Sequence, residues 1–249
     1  MIAGACKLLF PIIVLYCAIA AGMFILQRQL LYHPSHVNPD PRDVGLSGVD
    51  VVSLETPDRE TILLWHAPAP QGRPHVLFFH GNGGEIANRA NRFAAYQNAG
   101  FGVIFVSWRG YGGSSGSPSE TGFMTDARAA YDWLRATGIE ARKIALVGES
   151  LGTGVAVQLA AEQEVGAVLL GAPFTAAVDI AARQYPWLPV RFLMKDQFRS
   201  RDYIDQITAP ILIQHGTADR VVPYDLGQEL SDLAGERATF ITVPNAGHQ

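Results

Sequence analysis

Ser150 stands between two glycines, in Gly148-Glu149-Ser150-Leu151-Gly152, and that pentad joins a continuous apolar run at residues 144–147 to a small-residue run at 153–161. The first run is short and apolar at every position, as a strand covered on both faces requires, and the second reads as a helix. A strand-to-helix turn this tight forces Ser150 into a strained backbone conformation and pushes its hydroxyl outward. Gly148 and Gly152 let neighbouring backbone pass where a Cβ would obstruct it. The helix start behind the serine favours negative charge at that point. A plain glycine-rich turn is the competing reading, and the two flanking elements argue against it.

The same alternation extends along most of the chain. Residues 49–54 and 61–65 are short strand candidates, separated by a Pro-Asp-Arg turn, that suit an antiparallel pair at a sheet edge. Further strands are predicted at 75–79, 102–106, 144–147, 165–170, 211–214 and 238–243, with helices at 85–98, 122–136, 152–161 and 225–233. Strands that alternate with helices and are apolar throughout define an α/β class with a mainly parallel central sheet flanked by helices. Residues 172–208 interrupt the rhythm. They hold Phe174, Tyr185, Trp187, Leu188, Phe192, Leu193, Met194 and Phe198 and read as a small cap insertion after a strand. An ordinary crossover helix with a long loop is the alternative.

A serine hydroxyl needs a base to become a nucleophile, and the base needs an orienting carboxylate. His248, in the loop Asn245-Ala246-Gly247-His248 after the last strand, is the candidate base, and Asp219, after the strand at 211–214, is the candidate carboxylate. The chain order Ser150, Asp219, His248 is the order this architecture demands. Asp179, Asp196, Asp202 and Asp205 lie in or around the cap and are poorer candidates for the acid. An oxyanion needs backbone N–H donors. Leu151 supplies one, as the residue after the serine, and His80-Gly81-Asn82-Gly83-Gly84, directly after a strand, supplies the other at Asn82, with Gly83 second. His80, Gly81 and Gly83 support that loop, and His80 and His215 are read as structural. The loop Arg109-Gly110-Tyr111-Gly112-Gly113-Ser114 lacks a phosphate-cradle pattern and is expected to pack against the site. No metal-ligand cluster or cofactor motif is evident, so no metal or cofactor is expected.

Residues 8–26 contain nineteen consecutive positions without a formal charge, with Lys7 before them and Gln27, Arg28 and Gln29 after. At about 1.5 Å per residue this nearly matches a hydrocarbon core of roughly 30 Å. A single membrane anchor over residues 1–28 is the favoured reading. A signal peptide cleaved after Ala18-Ile19-Ala20 competes with it, although the apolar run continues past that point, and a buried helix is a third reading. Lys7 on one side and Arg28 and Arg42 on the other leave the sidedness open. Both cysteines, Cys6 and Cys17, fall in this segment, so no disulfide or thiol ligand is expected beyond it. Residues 29–48 read as a linker or a surface-hugging approach, and residues 49–249 as one domain. The run also accounts for a mean hydropathy of +0.12. The composition, 48% hydrophobic and 17% charged with a formal charge of −4, excludes a disordered chain and gives no support for nucleic-acid binding.

The assembled motifs resemble the α/β-hydrolase superfamily, most of all its membrane-anchored Bem46-like and abhydrolase-domain members. The likeness spans nearly the whole chain, through the apolar N-terminus, Leu31-Tyr32-His33-Pro34, His80-Gly81-Asn82, Arg109-Gly110-Tyr111-Gly112, Gly148-Glu149-Ser150-Leu151-Gly152, His215-Gly216-x-x-Asp219 and Gly247-His248. It implies an α/β-hydrolase fold, a Ser-Asp-His site, cofactor-free hydrolysis and a small-molecule acyl substrate that is an ester, thioester or lipid. A peptidase or acyltransferase on the same fold, and an inactive membrane-tethered binding protein, are the rival functions. Ser107 stands where such sequences often carry Asp before the Arg-Gly-Tyr-Gly loop. Such sequences also continue into a final helix beyond the histidine, whereas this one stops at Gln249, so a mobile His248 loop is expected if the chain is truncated.

Overall fold

The computed structural model describes residues 2–70 and 72–248; the Cys6 and Lys7 side chains invoked above and Gln249 lie outside the described residues. The chain opens with helix α1 (Ile2–Leu31), whose apolar side chains from Leu9 to Leu26 are largely exposed. Leu9–Leu31 is long and apolar enough to cross a membrane. The helix therefore runs to Leu31, beyond the apolar run and through Gln27-Arg28-Gln29, because nothing in that polar turn breaks a helix. The approach that follows is partly packed: Tyr32, Pro41 and Leu46 are buried, and the short strand β1 (His33–Pro34) meets the domain directly.

Eight strands form the main sheet: β2 (Asp50–Glu55), β3 (Thr61–Ala67), β4 (His75–Phe79), β6 (Gly102–Ser107), β7 (Ile144–Glu149), β8 (Ala167–Gly171), β9 (Ile211–Gly216) and β10 (Ala238–Val243). The order across the sheet is β10-β9-β8-β7-β4-β6-β3-β2. β3 pairs antiparallel with β2 and β6, and every other pairing is parallel. The antiparallel pair at the edge and the buried runs at β4 and β6 follow the sequence reading. A second, two-stranded ladder pairs β1 with β5 (Gly83–Gly84), in the register His33 to Gly83 and Pro34 to Gly84.

The helices are α2 (Ala90–Asn98), α3 (Glu120–Ala136), α4 (Leu151–Glu162), α5 (Ala177–Gln184), α6 (Val190–Leu193) and α7 (Tyr224–Ala234). Two core clusters lie in the fold. The larger includes Phe79, Trp108, Phe123, Val155, Leu159, Phe198 and Ile213, and the smaller includes Trp65, Phe78, Phe93 and Phe105. Residues 85–98 do not form one helix. Residues 86–89 make a 3-10 turn, with side chains of Glu85 and Asn88 each bonded to the other's backbone, and α2 starts only at Ala90 because Arg89 leaves helical geometry (φ −111°, ψ 17°). β8 begins at Ala167, two residues later than expected, and Gly166 before it is pressed against the Arg142 carbonyl, where a Cβ would come within 2.1 Å. Residues 172–208, between β8 and β9, hold α5 and α6.

Candidate active site

Ser150 lies at the joint between β7 and α4 with φ 50° and ψ −120°, a left-handed conformation costly for a side chain-bearing residue. Neighbouring backbone enforces it. Ser150 N–H donates to Gly171 O at 2.9 Å, and its carbonyl accepts from Thr153 N at 2.9 Å and Thr153 Oγ1 at 2.6 Å. A Cβ on Gly152 would come within 2.1 Å of Phe79 O, and one on Gly148 within 2.6 Å of Gly152 O. Both flanking glycines are required by the crossing of β4, β7 and α4.

His248 and Asp219 converge on this serine from loops 98 and 69 residues away in sequence. His248 Nδ1 is 2.8 Å from Asp219 Oδ2, and His248 Nε2 is 2.9 Å from Ser150 Oγ. Asp219 is acceptor-only, so Nδ1 carries the hydrogen and Nε2 is left to accept from the Ser150 hydroxyl. The Asp219 side chain is fully buried and that of His248 is partly exposed. Burial pushes the Asp219 carboxyl up, but the His248 hydrogen bond and the donated N–H groups of Val222 and Val221 outweigh it, and the net shift is below the usual carboxylate range. The His248 loop is tied to its surroundings: Asn245 N donates to Thr217 Oγ1, and Ala218 N to Ala246 O at 2.9 Å. His215 lies behind Asp219, with Nε2 3.1 Å from Val222 O and 3.4 Å from Asp219 Oδ2, and burial lowers its pKa. The cap acids face elsewhere: Asp179 pairs with Arg191 and Arg201, Asp196 with Arg28, and Asp202 with Arg199.

The loop after β4 runs beside the serine. A Cβ on Gly81 would approach Ser150 Cβ to 3.2 Å, so the turn is pressed against the reacting side chain. Leu151 begins α4 and offers one of the first-turn N–H groups that no helix can satisfy internally. His80 is buried, with Nδ1 2.8 Å from Gly81 O, and burial together with the nearby Arg89 charge lowers its pKa to about 3. It stays neutral and braces the turn.

Sequence reasoning missed how the Asn82 loop is gripped. Tyr111 Oη donates to Asn82 O at 2.7 Å, and Asn82 Nδ2 donates to Leu31 O at 2.8 Å. His33 N also donates to Asn82 O, at 2.9 Å, and Trp108 Nε1 donates to His80 O at 3.0 Å. From the other side Arg89 donates to Gly83 O at 2.9 Å and to Glu149 Oε1 at 2.9 Å. The motifs Leu31-Tyr32-His33-Pro34 and Arg109-Gly110-Tyr111-Gly112 carried the signal, without saying which atoms meet. Ser107 Oγ donates to Tyr111 O at 3.1 Å and so ties the strand end to this loop. Arg109 is held by Asp58 and by the fully buried Asp126. Among the described residues no three His, Cys, Asp or Glu side chains gather as metal ligands.

A family model described as the alpha/beta hydrolase fold matches residues 74–200. The uncharacterized protein Rv2307c of Mycobacterium tuberculosis is 39% identical over 96% of this chain and 87% of its own length. Protein bem46 of Schizosaccharomyces pombe is 29% identical over 92% of this chain and 83% of its own. The lysophosphatidylserine lipase ABHD12 of Danio rerio is 30% identical over 79% of this chain and 61% of its own. Among solved structures, the Pyrococcus furiosus esterase Pf2001 superposes with a TM-score of 0.68 over 88% of this chain and 89% of that one, at 18% identity, a likeness of fold. The strand order, the elbow at Ser150 and these relatives agree: the chain belongs to the α/β-hydrolase family, among relatives of the Bem46 and ABHD12 type.

Proposed function

We propose that this chain is a membrane-anchored serine hydrolase that cleaves an acyl ester or thioester through a covalent acyl-enzyme. The observation that carries the reading is the unbroken line from Asp219 through His248 to Ser150 Oγ at a strained elbow. His248 takes the Ser150 proton as Oγ attacks the acyl carbonyl. The backbone N–H groups of Leu151 and Asn82 hold the oxyanion, and the turn of His80, Gly81 and Gly83 keeps the second donor in place. Protonated His248 releases the leaving alcohol or thiol. Water then attacks the acyl-enzyme, with His248 again as base and Asp219 orienting it throughout. The name of the Danio rerio relative, a lysophosphatidylserine lipase, supports a lipid-like ester as substrate.

The apolar helix supports a division into an anchor at residues 1–28, an approach at 29–48 and a catalytic domain at 49–249 with its cap at 172–208. The test is labelling of the full-length protein by a serine-reactive fluorophosphonate probe. Labelling of the wild type and none of Ser150→Ala is the expected result. An unlabelled wild type, or a labelled variant, refutes the reading.

A further inference from the structure

The cap does not sit above the N-terminal helix; it lies along its side. Tyr16 Oη donates to Trp187 O at 3.1 Å, and the two rings meet edge to face at 6.2 Å. Further along, Lys195 Nζ stands 4.5 Å from the centre of the Phe24 ring. Gln27 donates to Leu193 O at 3.3 Å and accepts from Lys195 N at 2.7 Å. At the end of the contact Arg28 makes a two-pronged ion pair with the buried Asp196, at 2.8 and 3.1 Å. Tyr16 and Arg28 stand about 18 Å apart along the helix axis at 1.5 Å per residue. That is more than half of a hydrocarbon core roughly 30 Å thick.

The contact is graded in polarity. Lys195, Asp196 and Arg28 meet at the end nearer the catalytic domain, and Tyr16 and Trp187 at the far end. Residues 185–194 contain one charge, Arg191, and its guanidinium is paired with Asp179 at 2.7 Å. Trp187 is 50% exposed and Phe192 90% exposed, an apolar display that water disfavours and lipid does not. Between helix and cap lies a cavity of about 150 Å³, lined by Ala20, Met23, Phe24 and Leu31 on one side and by Leu188 and Leu193 on the other. Its lining residues with polar groups are Gln27, Asp196 and Tyr185, the first two at the charged end. The cavity is open to the outside along part of its wall, and its mostly apolar lining suits an apolar ligand. Leu31 is one of its lining residues, and the Leu31 carbonyl oxygen accepts from Asn82 in the turn beside Ser150.

We propose that the cap tip, residues 185–194, is immersed in the bilayer beside α1, and that the cavity between them receives the acyl chain of the lipid ester to be hydrolysed. The proposal rests on the anchor and serine-hydrolase readings above. A helix that spans the membrane carries its side-packed partner into the hydrocarbon, because 18 Å of contact cannot be accommodated in the headgroup layer alone. An acyl chain then reaches the cavity sideways, without leaving the lipid phase.

The test uses the full-length protein in phosphatidylcholine vesicles, with and without bromine atoms on the acyl chains. The emission difference between wild type and Trp187→Phe isolates Trp187. Quenching of that difference by the brominated lipid is expected, and an unquenched difference overturns the immersion. A second arm compares butyrate and laurate esters in Ala20→Phe, which fills the cavity. The laurate kcat/KM is expected to fall roughly tenfold or more with butyrate unchanged, as for lost methylene contacts in an apolar pocket. Equal effects on the two esters overturn the acyl assignment. A wild type unlabelled by fluorophosphonate refutes the hydrolase reading, and with it the acyl assignment. The quenching arm still decides the immersion.

Discussion

The side-chain amide of Asn82 donates to the carbonyl oxygen of Leu31 at 2.8 Å, joining the turn beside Ser150 to the last residue of the N-terminal helix. Tyr111 Oη closes the same grip from the other side. If the Asn82 N–H holds the oxyanion, these two bonds set its aim. Tyr111→Phe removes one neutral hydrogen bond, worth about 1 kcal/mol, and is expected to lower kcat about fivefold to tenfold with KM nearly unchanged. Asn82→Ala keeps the backbone donor but frees the turn, and approaches the loss of about 10²-fold seen when an oxyanion donor is removed. Steady-state kinetics on a soluble short-chain ester separates kcat from KM.

Asp219 and His248 are expected to behave as a unit with Ser150. His248→Ala should abolish turnover as fully as Ser150→Ala. Asp219→Asn, which leaves the geometry but permits the wrong imidazole tautomer, should cost about 10⁴-fold in kcat. The double variant of Ser150 and His248 is expected to be no worse than either single one. Steady-state kcat on a soluble ester, measured against the uncatalysed rate, checks all three.

Gly152 carries the elbow's packing. A methyl group there would lie within 2.1 Å of Phe79 O and 2.7 Å of His80 O, both backbone atoms with no freedom to retreat. Gly152→Ala is expected to cost about 3 kcal/mol or more, within the range of severe core overpacking. A lowered urea midpoint with unchanged slope is the expected signature.

The Arg109–Asp126 pair is buried on both sides, and Asp126 also accepts from Arg109 N at 2.9 Å. Asp126→Ala strands a guanidinium whose remaining carboxylate, Asp58, is half exposed. Breaking such a pair costs about 3–5 kcal/mol. Because Arg109 begins the loop that carries Tyr111, activity is expected to fall before the protein unfolds. Activity followed along a urea titration detects that order.

Burial lowers the pKa of His80 to about 3, and also lowers His66, His75 and His215. A base whose folded pKa is depressed stabilises the fold above its unfolded value. That contribution is lost as pH falls from about 6.5 toward the folded values, at about 1.4 kcal/mol per pH unit for each histidine that titrates only when unfolded. Asp219 adds a loss of the same sign, confined to pH below its ordinary carboxylate value. Stability by urea unfolding is therefore expected to decline between pH 6.5 and 4, and His80→Gln to flatten the decline.

Much of this protein was legible in its residue order. The continuous apolar runs at 75–79 and 102–106 announced strands covered on both faces, because a strand with one wet face alternates. The pentad around Ser150 announced its own turn, since only glycine tolerates the backbone crossings on either side. The order Ser150, Asp219, His248 named three residues that the fold then brought within hydrogen-bond distance. The strand and turn readings succeeded because each rests on local sterics or on a period that neighbouring residues share. The tertiary structure alone decided the grip of Leu31, His33 and Tyr111 on Asn82 and the docking of the cap along the helix from Tyr16 to Arg28. Those contacts join residues 29 to 171 positions apart. A single long-range hydrogen bond leaves no periodicity, so only the closed fold reveals which carbonyl an amide finds.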